Sequence, residues 1–234
     1  MSEGNIRLDM KSLLPLLLVA AAAQAQTASD KAPADSFSFT VDNHMIARDV
    51  DDFDAMSYGI KAKVADGVRA TLVYADAESD PFDLVPGLNM SVKARRWALG
   101  AEYDLPAGPG GVTLSFAYAQ TSATAQGGFN GDAFGNDQFV FGARYKMELG
   151  QGFTATIAAT KFVSDFDSDA AFSTSANRIA LAQRYDGSPF AVSLSLGYAP
   201  TEHVNIHVTY AKEDSVLGLG GAKNTLSFGV SAVF

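Results

Sequence analysis

Basic side chains recur on one face of several alternating segments of this chain. Lys61 and Lys63 alternate with Met56, Tyr58, Ile60 and Ala62, and Arg144 and Lys146 alternate with Phe139, Phe141, Ala143, Tyr145 and Met147. Arg69 and Lys93 sit in similar stretches. Successive side chains of an extended strand point to opposite faces, so each cation is set against an apolar row. A wall of Lys and Arg facing water could admit ions by sign. The same cations could instead pair with Glu102 and Glu148 and fill a narrow interior, and the residues leave both readings open. The stretch 89–103 carries two registers, with Met90 and Val92 implying one and Trp97, Leu99 and Tyr103 the other. A bulge near Arg95 and Arg96 would reconcile them and turn both guanidinium groups to the basic face.

Acidic residues cluster between these segments: Asp49, Asp51, Asp52 and Asp54; Asp76, Glu78, Asp80 and Asp83; Asp165, Asp167 and Asp169. A divalent cation could bridge such carboxylates. Asp165-x-Asp167-x-Asp169 nevertheless lacks the Gly and closing Glu of an EF-hand loop, and solvated, mutually repelling loops are the expectation. His203 and His207 share a strand face, but their Cα atoms lie about 13 Å apart at strand rise, too far for an easy shared metal. No metal site, cofactor or catalytic constellation stands out, and the chain is not expected to be an enzyme. The net charge of −9 argues against nucleic acid as a partner. Segment 123–136, rich in Gly and Phe, could fold inward as a constriction or stay a surface loop.

Hairpins must position these residues. Strands are expected near 36–46, 53–64, 68–77, 89–103, 112–122, 137–149, 153–163, 190–199, 203–213 and 223–234. Short connections at 65–67, 106–111, 150–152 and 199–202 alternate with long ones at 78–88, 123–136, 164–174 and 213–222. A soluble sandwich has no reason to alternate loop length so regularly. Residues 175–186 also look like a strand. The count is ten if they belong to an extended loop and twelve if a further strand pairs with them, and the pattern of the segment favours twelve.

The first 25 residues follow different rules. Lys11, the apolar run Leu13–Ala23 and the small-residue site Ala23-Gln24-Ala25 have the layout of a cleavable signal peptide. The run is shorter than the roughly 20 residues a spanning helix needs. Residues 1–9 read as an upstream extension, with Met10 the expected natural start. The chain has no cysteine, so an exported protein of this kind must be held by packing or by closure of a sheet.

At the other end, Leu226, Phe228, Val230, Ala232 and Phe234 share one face, and Thr225, Ser227, Gly229, Ser231 and Val233 share the other. Aromatics gather at strand ends: Tyr103, Tyr145, Phe153, Tyr198 and Phe234 near the short turns, and Tyr74, Tyr118, Phe139 and Tyr210 toward the long loops. Such rings favour a membrane–water boundary.

Together, the terminal strand, the hairpin pattern and the strand–turn repeats at Ala101–Leu105 and Ala143–Met147 resemble Gram-negative outer-membrane β-barrels, and porins among them. The chain is shorter than a sixteen-strand porin requires. The resemblance implies an all-β, antiparallel up-and-down transmembrane barrel of about 10–12 strands over 36–234, after a short periplasmic segment 26–35. It also implies outer-membrane lipid and lipopolysaccharide as surroundings, and a barrel-assembly machinery that reads Phe234. In such a barrel a cation aimed at lipid near the midplane costs roughly 2–4 kcal/mol, which sends Lys61, Lys63, Arg69, Lys93, Arg95, Arg96, Arg144 and Lys146 inward. The expected function is passive diffusion of small hydrophilic solutes or ions through a basic lumen. The alternatives are a non-conducting structural or adhesion barrel with paired interior charges, and a barrel enzyme acting on lipid or protein.

Overall fold

The computed structural model describes residues 37–49, 51–107, 110–127, 131–167 and 183–234. The expected signal peptide and the segment 26–35 lie outside the described residues, as do 168–182. Eleven strands follow in chain order among the described residues: β1 (Phe37–Arg48), β2 (Phe53–Ala65), β3 (Val68–Ser79), β4 (Phe82–Asp83), β5 (Asn89–Ala107), β6 (Gly110–Gly127), β7 (Gly131–Gly150), β8 (Phe153–Asp167), β9 (Phe190–Thr201), β10 (Val204–Lys212) and β11 (Ala222–Val233). Ten long strands pair antiparallel with their sequence neighbours. β1 closes on β11, and reciprocal backbone hydrogen bonds between Phe37 and Phe234 continue that seam. The two-residue β4 leans on β5 through Phe82 opposite Met90, while β3 pairs directly with β5. The fold is a closed ten-strand barrel with one short extra strand.

At one end, tight two-residue turns at 66–67, 151–152 and 202–203 join strands, with Gly67 and Gly152 at positive φ where an L side chain would be strained. The other end carries the longer connections. Segment 123–136 is no loop, because β6 and β7 run through most of it as an extended hairpin. Of the strand-like segment 175–186, the described part is 183–186, a helical turn at 183–185 followed by irregular chain to Pro189, so ten long strands complete the wall among the described residues. Residues 175–182 lie outside the described residues.

Polarity along the wall changes sign at one level. Toward the turns, the outward face is apolar: Leu72, Leu99, Tyr103, Leu114, Phe116, Phe141, Ile157, Leu194, Leu196, Ile206 and Phe228 are all exposed there. The inward face at this level carries Lys61, Arg69, Glu102, Thr113 and Arg144. Past a ring formed by Tyr74, Trp97, Tyr118 and Phe139 the arrangement inverts. Ala75, Ala77, Met90, Val92, Ala94, Ala123, Ala125 and Phe134 turn inward and are buried, while Asp76, Glu78, Lys93 and Arg95 turn outward. Strand periodicity is unbroken across the change, since β5 pairs residue for residue with β3 and β6 through Arg95 and Arg96.

That continuity corrects two expected positions. There is no bulge, and only Arg96 points inward. Arg95 faces out beside Asp76 (3.6 Å), and Lys93 faces out beside Glu78 (3.4 Å). The two registers inferred for 89–103 are one register read in two solvents. Met90 and Val92 are apolar because they face a dry interior, and Leu99 and Tyr103 because they face outward below the ring.

Candidate functional site: a lumen sealed at one end

The barrel interior has two compartments. Toward the turns lies a polar chamber of about 890 Å³, reaching Gly110, Gly111 and Glu148 beside the turns and Ser38 and Val233 at the β1–β11 seam. Its walls are mostly hydroxyls and charges. Glu102 on β5 gathers cations from three other strands: Lys61 Nζ at 2.8 Å, Arg144 Nη2 at 2.8 Å and Arg69 Nη2 at 3.5 Å. Arg69 also reaches Asp104 at 2.6 Å, and Thr113 Oγ1 donates to the same carboxylate at 2.6 Å. Across the chamber, Asp42 Oδ1 and His207 Nε2 meet at 2.6 Å from strands on either side of β11. The residue between them is Gly229, where an added Cβ would sit 1.7 Å from the Asp42 oxygen. His44 bridges Ser57 and Ser227, with ring nitrogens 2.7 and 2.6 Å from the two hydroxyls.

A basic wall is therefore not what lines this chamber. Lys61, Arg69, Arg144 and Lys146 do face it, but so do Asp42, Asp104 and Glu148, and Glu102 lies beneath three of the cations. Lys63 sits at the turn end and binds Asp66 at 2.9 Å, and that hydrogen bond holds the exposed Asp66 carboxyl below its ordinary range. Pairing was visible in principle. Arg69 and Glu102 are direct partners between β3 and β5, so a correct strand register predicts their contact.

Toward the loops the lumen is filled. Two connections turn inward, 183–189 and 213–221. Leu217, Leu219 and Tyr185 join the inward residues of the wall in one buried cluster with Ile46, Phe53, Phe82 and Phe134. The connection 213–221 is folded on itself: the Asp214 carboxylate accepts from the backbone N–H groups of Val216, Leu217 and Leu219 at 2.7–2.9 Å. The wall then clasps it. Gln138 Nε2 donates to the Gly218 carbonyl at 2.6 Å, and Arg96 Nη1 donates to the Leu217 carbonyl and to Gln138 Oε1. Gly218 has φ +68°, and a Cβ there would lie 2.5 Å from the Phe162 ring. The second connection is anchored by a buried network in which Tyr185 donates to Asp51 and Asp51 pairs with Arg48 and Arg184, each at 3.3 Å. Burial, and then the adjacent carboxylate, push the Tyr185 phenol well above its ordinary range.

The outward surface settles the setting. Its apolar band carries one charged side chain among the described residues near its loop-side edge, Lys161 opposite Phe141, whose ammonium donates to the Ser188 carbonyl of the loop end. From Leu105 to Trp97 it covers about 27 Å of strand at strand rise, or roughly 20 Å across a bilayer at usual barrel tilt. The rings of Phe153 and Tyr198 meet at a tilt, centroids 4.8 Å apart, at the turn end, with Tyr103, Tyr145 and Phe234 near the same level, as expected of a boundary row. The chain is an integral β-barrel of the Gram-negative outer membrane.

No protein-family model matches the chain, and no curated protein matches it. Similarity appears among solved structures. An outer-membrane channel from Pseudomonas putida F1 is 10% identical, with a TM-score of 0.49 over 88% of this chain and 98% of that one. The beta domain of the Bordetella autotransporter BrkA is 10% identical, with a TM-score of 0.49 over 86% of this chain and 100% of that one. The translocator domain of the autotransporter NalP from Neisseria meningitidis is 10% identical, with a TM-score of 0.44 over 96% and 97%.

Proposed function

We propose that the protein is a loop-sealed outer-membrane barrel, non-conducting as folded, that serves as a stable envelope element and presents its hairpins outside. The observation that carries this reading is the apolar cluster around Leu217, Leu219 and Tyr185, which fills the outer half of the lumen. Paired charges below it support the same reading, because an ion-selecting wall needs charge that the protein leaves uncompensated. The role is non-enzymatic. Lipopolysaccharide phosphates are the expected neighbours of the outward Lys93 and Arg95, and assembly through recognition of Phe234 fits a seam that ends on that residue.

Passive diffusion of small hydrophilic solutes is the second reading, favoured by the polar chamber alone. Conductance in a planar bilayer separates the two. Folded protein that stays silent over long recordings supports the sealed barrel. Frequent, reproducible open steps from the unaltered protein would replace it with the channel.

A further inference from the structure

We infer that the 213–221 connection is a hinged plug and that Arg96 beneath it is the anion-selecting residue of the route it closes. The inference rests on the sealed-barrel reading and adds how the seal would open and what would pass.

Arg96 carries the first part. It is only 4% exposed, and its guanidinium lies over the Phe162 ring at 5.2 Å. Its hydrogen bonds go to a neutral amide and to a carbonyl of the plug. Among the described residues no carboxylate lies within ion-pair distance of it. Every other inward arginine described on a barrel strand has one, with Arg48 on Asp51, Arg69 on Asp104 and Arg144 on Glu102. Its favourable carboxylate, beyond ion-pair distance, is Asp214 of the plug itself, and a buried cation with so little compensation is costly. It is also placed at the chamber's ceiling: Ser57 lines the chamber and lies opposite Ala75, which lies opposite Arg96.

The plug carries the second part. Three of its backbone N–H groups are held internally by Asp214, and the wall holds its tip through the Leu217 and Gly218 carbonyls. Left-handed backbone stands at both ends, at Glu213 (φ 69°) and Gly221 (φ 81°). Such a conformation is uncommon for a non-glycine residue and marks a position held by its surroundings. A self-folded unit between two kinks can swing as one body. Once it does, Arg96 faces the water column above the chamber with its charge unshared, and a fixed cation at a constriction favours anions.

The test is conductance and reversal potential in a salt gradient for four proteins: the unaltered chain, a variant lacking residues 215–220, the point variant Leu217→Asp, and the shortened variant with Arg96→Gln. Heat-modifiable electrophoretic migration establishes that each is folded. Opening of the shortened or Leu217→Asp protein with anion preference is expected, together with a fall of roughly threefold or more in anion-to-cation permeability ratio on adding Arg96→Gln. Folded variants that stay silent would overturn the plug. Open variants whose selectivity ignores Arg96→Gln would overturn the role of Arg96. A conducting unaltered protein would instead overturn the sealed-barrel reading itself.

Discussion

Below Trp97, strand β5 shows Leu99, Tyr103 and Leu105 to the outside and Glu102 to the inside; above it, the same strand shows Lys93 and Arg95 to the outside and Met90, Val92 and Ala94 to the inside. β3, β6 and β7 repeat the switch at Tyr74, Tyr118 and Phe139. The backbone does not register the change, which lies entirely in what each face meets. Lipid outside and water inside select one pattern, and water outside with a packed loop inside selects its opposite. One wall thus holds a membrane barrel and a small water-soluble core stacked end to end, and the seal belongs to the second.

Substitutions that respect one half and violate the other should expose the boundary. Leu217→Ala and Leu219→Ala, in the dry half, are expected to cost about 2–5 kcal/mol each, read as a shift of the urea midpoint for folded protein in vesicles. A loss near zero would mean the outer half is wet. Next, Leu99→Arg should cost roughly 2–4 kcal/mol, whereas Ser122→Arg, one level above the ring, should change stability by less than about 0.5 kcal/mol. Equal costs at the two positions would erase the boundary.

Glu102→Gln tests the chamber. It leaves Lys61, Arg69 and Arg144 converging on a neutral group, and because all three touch water the expected cost is only about 1–2 kcal/mol. Adding Lys61→Met should recover part of it in a double-mutant cycle, and full additivity would deny the pairing. The smallest effect belongs to the collar. Arg95→Ser, with its exposed 3.6 Å contact to Asp76, should move stability by under about 0.5 kcal/mol, a difference visible only in matched titrations.

Each of the ten long strands could be read from the residues, because each alternates with period two and most end at a Gly or Pro turn, but their number could not, since 175–186 alternates as well and favours twelve. Inward placement of Lys61, Arg69, Arg144 and Lys146 followed from the same parity. Arg95 and Lys93 escape it, because alternation alone equates outward with apolar along the whole of 89–103. Above the membrane that equation of apolar with outward reverses, and the conflict looked like a bulge. The plug was hidden for another reason. Val216, Leu217 and Leu219 lie among glycines and an Asp, so 213–222 reads as a solvent loop, and nothing in its own residues says which wall it will meet. Only the inward polar groups Arg96, Thr121 and Gln138, set below the apolar Ala94 and Ala123, hinted at a partner for that position.

The collar also gives the molecule a direction of travel. To leave the bilayer at its turn end, the barrel would have to drag Asp76, Glu78, Lys93 and Arg95 through hydrocarbon, at roughly 2–4 kcal/mol for each cation at mid-depth. The packed cluster of Leu217, Leu219 and Tyr185 behind them would have to travel with them or come apart. The collar therefore works as a stop: a head that is charged outside and filled inside resists being pulled through the membrane.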